Sequence, residues 1–412
     1  MKVLLISGEF PPLVGGVGDY TACLATALHS LGVQVSVLTS ARASVGAGFK
    51  PAPTALPFPV LAQLPRWGFG SWGPIRRVAG QQGAGIIHIQ YQSAAYGLHP
   101  AINLLPLNLQ IRAPDLRTVV TFHDLKVPYI CPKAGLLRPW AVRALARWSH
   151  GVVCTDDVDL QRVSSWGLRR PPSLIPIGSN IPVKGTWLGG AQCGKAFPVS
   201  AHGSVGGIRP QMIIGYFGLL NQSKGVEILF RACRILRQRE WYEKRGLQVT
   251  VAMVGAKLGD SDPTNSAYAR RVQALAIELE LDDVIQWTGQ LSPEDTSRAL
   301  QSFDICVLPY LEGASFRRGT LMAALAHGLP IVTTAPTPAP ATGPHLEDGV
   351  NCRLVPSGDV GALAQALAEL AGAPSLREKL AMGALELARS FTWEEIARRT
   401  VAAYEQVLTR ST

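Results

Sequence analysis

"DICVLPYLEGASFRRGTLMAALAHGLPIVTT" (304–334) holds a whole structural unit in one line. Residues 304–310 form an apolar run of strand length, 311–318 turn polar, "TLMAALAHG" follows a helical pattern, and "LPIVTT" is a second strand. His327-Gly328 ends the helix, and Pro330 prevents its continuation. Strand, helix and strand in that order are the mark of a parallel βαβ crossover. Ahead of the helix stand Glu312, Arg317 and Arg318, and Gly319-Thr320 open it. Unpaired amides at a helix start beside two guanidinium groups concentrate positive potential.

The same rhythm extends in both directions. Strand candidates in the first half are "KVLLIS" (2–7), "VQVSVLT" (33–39), "GIIHIQ" (85–90), "TVVTF" (118–122), "GVVCT" (151–155) and "PSLIPIG" (172–178). In the second half they are "MIIGYFG" (212–218), "LQVTVAMVG" (247–255), "DVIQWTG" (283–289), "DICVLPY" and "LPIVTT". Two doubly wound α/β sheets follow, and 412 residues suit two domains of about 200 residues each. The expected division is a first domain at 1–183, a Gly-rich connecting segment at 184–210, a second domain at 211–390, and a final helix at 391–412 returning to the first domain. Residues 50–74, rich in Pro and Gly, read as a long excursion within the first domain. Ser292 with Asp295, Ser375 with Glu378, and Thr392 with Glu395 have capping-box spacing and predict helix starts.

Composition excludes several classes. With 47% hydrophobic and 17% charged residues the chain is globular. No run approaches the roughly 20 apolar residues of a membrane span, and "AINLLPLNLQI" (101–111) is interrupted by two asparagines and Pro106. The opening "MKVLLISGEFPP" is too short for a secretory segment, so a cytoplasmic protein is expected. Seven cysteines without paired spacing read as reduced core residues. The net charge of +10 is uneven: residues 1–183 hold 16 Lys and Arg against 7 Asp and Glu. Either solvated arginines are scattered over that half, or it meets an anionic surface or substrate, such as lipid headgroups at the inner membrane face. No nucleic-acid motif accompanies the charge. "LLRPWAVRALARWSHG" (136–151) reads as a surface helix with its tryptophans packed inward, or as a helix lying on anionic lipid.

Open parallel sheets bind ligands at the carboxyl ends of their strands. In "SGEFPPLVGGVGDY" (7–20), Gly15-Gly16 open a helix, which suits either a tight turn or a phosphate at the helix start. In "TFHDLKVPY" (121–129), His123 and Asp124 follow a strand directly and read as functional, whereas His88 inside "GIIHIQ" reads as a satisfied strand residue. In "YFGLLNQSKGVEILFRACRIL" (216–236), Lys224 precedes a helix start, an unfavourable place for a cation unless an anion is shared there. Lys224, Arg317, Arg318 and the amides of Gly319 and Thr320 would together suit a diphosphate.

In their order, "EFPPLVGGVGDY", "HDL", "SLIPIGSNI", "FGLLNQSKG", "LPYLEGASFRRGTLMAALAHGLPIVTT", "HLEDGVNCRLVPSGDVGALAQAL" and "FTWEEIARRTVAAYEQVL" resemble glycosyltransferase family 4 over nearly the whole chain. The resemblance implies a GT-B fold, two Rossmann-like domains facing across a cleft, with the acceptor on the first and a nucleotide sugar on the second. It implies transfer with retention to a saccharide or lipid-linked acceptor, with no metal and no cofactor beyond the nucleotide-sugar co-substrate. By the same resemblance Gly15-Gly16 lie near the donor diphosphate, His123 touches the donor sugar, and Lys224 holds the diphosphate. The family's arginine in the Lys224 loop falls here on Leu219, and its two glutamates fall on Ser315 and Ala323. We therefore expect a rewritten donor loop, with Arg317 and Arg318 supplying the missing cation. Glu312, Ser315 and Phe316 are expected at the sugar and ribose, and Gln290 and Leu291 at the base. A phosphorylase or hydrolase on the same scaffold, and a non-catalytic nucleotide-sugar-binding or membrane-associated scaffold, are the alternatives.

Overall fold

The computed structural model describes residues 1–13, 15–44, 56–125, 137–183, 211–255, 263–336 and 343–409. The expected connecting segment at 184–210, Cys131 and Cys193 lie outside them. The chain divides into two compact units, Met1–Asn180 with Phe391–Thr412, and Ile181–Ser390.

In the first unit seven strands, β1 (Lys2–Ser7), β2 (Gln34–Ser40), β3 (Val60–Leu64), β4 (Ile86–Tyr91), β5 (Arg117–Phe122), β6 (Gly151–Cys154) and β7 (Ser173–Leu174), form one sheet in the order β3-β2-β1-β4-β5-β6-β7. In the second, β8 (Gln211–Phe217), β9 (Gln248–Val254), β10 (Ile285–Gly289), β11 (Ile305–Leu308), β12 (Ile331–Thr334) and β13 (Arg353–Val355) form another, in the order β10-β9-β8-β11-β12-β13. Every pairing is parallel. Strand order therefore reverses beside β1 and β4 in one sheet and beside β8 and β11 in the other, which is where doubly wound sheets open a crevice for ligand.

The helices are α1 (Gly16–Ser30), α2 (Trp72–Gln82), α3 (Ala101–Arg112), α4 (Leu137–Trp148), α5 (Asp157–Ser164), α6 (Val226–Gln238), α7 (Pro263–Glu278), α8 (Pro293–Gln301), α9 (Gly319–Ala326), α10 (Val360–Gly372), α11 (Pro374–Ala388) and α12 (Trp393–Leu408). Alternation along β1 distributes the first core. Leu4 and Ile6 join Ile75, Leu105 and Leu145 of α2, α3 and α4 on one face. Val3 and Leu5 join Leu24 of α1 and Ile396, Tyr404 and Val407 of α12 on the other. In the second unit Met212, Ile214 and Tyr216 of β8 meet Leu229, Phe230 and Leu367 of α6 and α10.

Several expectations change here. The expected strand 172–178 pairs only over Ser173–Leu174, because Pro176 has no N–H with which to extend the ladder. The 50–74 excursion contains β3, and β13 was not anticipated; each is a short, half-buried edge strand, β3 set among prolines and β13 only three residues long. Ser375 does not cap a helix: α11 starts at Pro374, with Ala373 as its N-cap, since proline suits the first helical position. Ser292 and Thr392 do cap α8 and α12, accepting from the Asp295 and Glu395 amides. Trp140 on α4 is 50% exposed, so the inward-packed reading fails for that side chain. No helix among the described residues is long and apolar enough to cross a membrane.

Candidate active site

The second unit gathers its cations where β8 and β11 end. The loop after β8 tightens into a short turn, Gln222–Lys224, and Gly225 then starts α6 in the left-handed region at φ +66°. A Cβ on Gly225 would lie 2.0 Å from the Pro309 carbonyl oxygen, so only glycine lets this turn rest on the loop after β11. The Leu311 amide seals the contact by donating to the Ser223 carbonyl at 2.9 Å. From below, Thr334 and Ser357 hydroxyls donate to the carbonyls of Tyr310 and Leu311 at 2.8 and 2.7 Å. The two loops are thus one rigid platform.

On that platform Lys224 and Thr320 meet over Gly218. A Cβ there would stand 2.6 Å from the Lys224 ammonium and 2.9 Å from the Thr320 methyl group. Thr320 is fixed by a 2.6 Å hydrogen bond to the buried Tyr310 hydroxyl. Arg318, the N-cap of α9, lays its guanidinium 4.3 Å from the Tyr310 ring centroid and donates to Glu312 at 3.1 Å. Its Nε is buried and has no hydrogen-bond partner among the described residues. Burial, and then the Arg318 charge, push the Lys224 ammonium down to about 8. Two cations at one helix start form an arrangement that a bound anion would relieve.

The remaining expected residues divide. Arg317 is exposed, and its amide donates to Ser315 Oγ at 3.3 Å. Glu312 is exposed and engaged by Arg318, while Phe316 is half-buried. Gln290 and Leu291 follow β10, the edge strand two places from β8. Leu219, at the position where the family carries arginine, is 57% exposed. Ala323 is fully buried on α9, so a glutamate there would have to be accommodated inside the fold.

In the first unit His123 follows β5 and is half-buried against Tyr20 of α1, ring centroids 4.6 Å apart. Its Nε2–H donates to Gln90 Oε1 at 3.0 Å, which leaves Nδ1 as an acceptor. Burial lowers its pKa to about 3, so the ring is neutral across the physiological range. Gln90, hidden in the apolar strand β4, carried no sequence signal. His88 bonds through both nitrogens, to Tyr404 at 2.6 Å and Thr121 at 2.7 Å, and is a structural residue. Gly15 and Gly16 do start α1, but its first amides already have a partner: Glu9 Oε1 accepts from Val17 N at 3.1 Å and Gly18 N at 3.3 Å.

The expectation of no metal took the sequence to hold no Asp-x-Asp spacing, and it holds two. Asp157 and Asp159 lie in the first turn of α5, behind the capping Asp156, with Asp159 buried; Asp260 and Asp262 lie outside the described residues. Among the described residues no three His, Cys, Asp or Glu side chains gather as a metal-binding group.

Comparison with known proteins agrees with this division into units. Residues 14–181 match the model described as Glycosyltransferase Family 4, and residues 211–372 match that of Glycosyl transferases group 1. Phosphatidyl-myo-inositol mannosyltransferase of Mycobacterium leprae is 25% identical over 415 aligned residues, covering 99% of this chain and 98% of the relative. Other curated relatives, such as the D-inositol 3-phosphate glycosyltransferase of Kribbella flavida, are matched over about half of their length, 46% in that case. Among solved structures, sucrose-phosphate synthase from Thermosynechococcus elongatus aligns with a TM-score of 0.70 at 21% identity, covering 99% of both chains. HepE of Anabaena in complex with UDP aligns with a TM-score of 0.71 at 17% identity, over 98% of this chain and all of that one. At such identities the likeness speaks for the fold, and the fold is GT-B. With both halves matched in order by glycosyltransferase models, the chain is a glycosyltransferase.

Proposed function

We propose that the chain moves a glycosyl group, with retention, from a nucleoside-diphosphate sugar to a hydroxyl of a saccharide or lipid-linked acceptor. The observation that carries this reading is that Lys224 and Thr320 meet over Gly218 at the start of α9, the helix that Arg318 caps. As the bond from the anomeric carbon to the β-phosphate oxygen breaks, the electron pair leaves with the phosphate. Lys224, Arg318 and the amides of Gly319 and Thr320 stabilise that growing charge, as a preorganised set of donors should. The acceptor oxygen bonds to the same face of the sugar, and its proton passes to the departing phosphate. In the first unit, Gln90 holds the His123 tautomer that leaves Nδ1 as an acceptor, a form suited to a sugar hydroxyl. The cationic side chains supply the charge that a divalent metal would otherwise bring. HepE was solved with UDP, which favours a nucleotide sugar as donor.

Calorimetric titration with UDP-, GDP- and ADP-sugars, followed by product analysis, tests the reading. Lys224→Ala should weaken the binding nucleotide sugar by about 1.5–3 kcal/mol, the range for hydrogen bonds to charged groups. Unchanged affinity would place the phosphates elsewhere, and an inverted anomer in the product would remove retention.

A second partner, the anionic inner face of a membrane, is favoured by α4. Its exposed Trp140 stands on the same helix as Arg143 and Arg147, both also exposed. Sedimentation with anionic vesicles tests that placement.

A further inference from the structure

The final helix reaches His123 by two routes, both inside the first unit. On the first, the Tyr20 ring of α1, 5% exposed, stands between two others: its centroid lies 5.2 Å from that of Trp393 at 63° and 4.6 Å from that of His123 at 74°. Trp393 is itself held. Its Nε1–H donates to the Ser179 carbonyl at 2.6 Å, and a Cβ on Gly178 would lie 2.9 Å from its indole and 3.0 Å from the Phe391 carbonyl oxygen. Asn180 Nδ2 donates to Asp19 Oδ2 at 3.3 Å, one residue before Tyr20. On the second route the Tyr404 hydroxyl bonds His88, which bonds Thr121, two residues before His123. The chain leaves the first unit after Asn180 and re-enters it at Phe391, so Trp393 ties the two crossings together.

We propose that Trp393 is a positioning residue for His123: the indole wedges Tyr20 against the imidazole and so fixes the direction in which Nδ1 points. The inference rests on the reading that Nδ1 serves a sugar hydroxyl. Gln90 sets the tautomer through Nε2, but one hydrogen bond leaves the ring free to swing about it, and the Tyr20 ring stops the swing. Edge-on aromatic pairs have a preferred geometry, so the angle is passed from ring to ring. A misplacement of about 1 Å can slow a reaction about a hundredfold. An indole two rings away from the imidazole nitrogen therefore governs the rate without touching substrate.

Two readouts on the full chain test it. In NMR spectra of the ligand-free, histidine-labelled protein, Trp393→Leu should move the His123 ring signals, and Tyr20→Leu, which leaves α12 docked, should move them likewise; signals that stay in place overturn the proposal. In the release of nucleoside diphosphate from UDP-, GDP- and ADP-sugars, Trp393→Leu should lower kcat about tenfold or more and keep KM for the donor within about threefold, while Trp393→Phe retains about half of kcat or more. Tyr20→Leu should cost as much as Trp393→Leu, and the double variant no more than either, because each breaks the same relay. Additive losses would show two separate effects and end the idea of a relay. Val407→Ala opens a cavity at the far end of α12 and should lower Tm without changing kcat or the His123 signals. A matching loss of kcat there would mean that Trp393 acts only by docking the helix, which also overturns the proposal. If the native chain consumes none of the three sugars, the donor reading fails, and the His123 signals alone decide for or against Trp393.

Discussion

Lys224 gives the donor platform a titratable handle. Its protonated form is disfavoured by burial and by Arg318, which brings its pKa to about 8. A diphosphate favours the ammonium, so nucleotide affinity should fall as pH rises above about 8, by up to about tenfold per unit until the pKa of the complex is reached. Arg318→Ala removes the like charge and should move the break upward; a break at the same pH would show that burial alone sets it. Stability runs the opposite way. The folded pKa is depressed, so between about 8 and the ordinary lysine value the unfolded chain binds more protons, and the ligand-free protein should grow more stable across that window. Lys224 and Arg318 were legible in the sequence because a cation at a helix start contradicts the local dipole. Glu9 and Gln90 were not. Glu9 lies eight residues before the first amide it takes, and Gln90 sits in a fully buried strand where pattern reads it as core.

At the level of elements, the buried strands were plain from their apolar runs, and two edges, β3 and β13, were not. Each pairs on one side only and most of its residues are partly exposed, so the signal fades. The α4 helix was placed correctly but left with two readings, since helical spacing cannot say which side a tryptophan takes when another helix covers part of it. Trp140 meets Trp148 edge-on at 5.7 Å and is half exposed, while Arg143 lies 5.8 Å from the Trp166 ring and Arg147 donates to Gly167 O at 3.3 Å. Those two arginines are partly occupied by the protein itself. Trp140→Ser should therefore reduce sedimentation with anionic vesicles more than either arginine substitution, each of which should cost about 1 kcal/mol or less. Equal binding to neutral and anionic vesicles would remove the electrostatic part of the reading.

Across the whole chain, α12 is the element with the longest reach. Its buried stripe, Ile396, Ala397, Thr400, Ala403, Tyr404 and Val407, has helical spacing and covers the face of the first sheet made by Val3, Leu5 and Val119. Trp393 Nε1 donates to Ser179 O at 2.6 Å and its ring lies 5.2 Å from Tyr20, which in turn touches His123. Ile396 and Val407 alone contribute about 3–6 kcal/mol by burial, against a typical total stability of about 5–15 kcal/mol. Ending the chain at Ser390 should therefore abolish amide protection in β4, β5 and β6 while β8, β9 and β11 keep theirs, read by hydrogen exchange. Retained protection in the first sheet would show that α12 is dispensable there.

That stripe also orders events during synthesis. The nascent first sheet leaves the ribosome some two hundred residues before α12, with α1 covering only part of the face made by Val3, Leu5 and Val119, and the second unit can finish folding in the interval. Until translation delivers α12, the amino-terminal half is a client for chaperones, and it closes last.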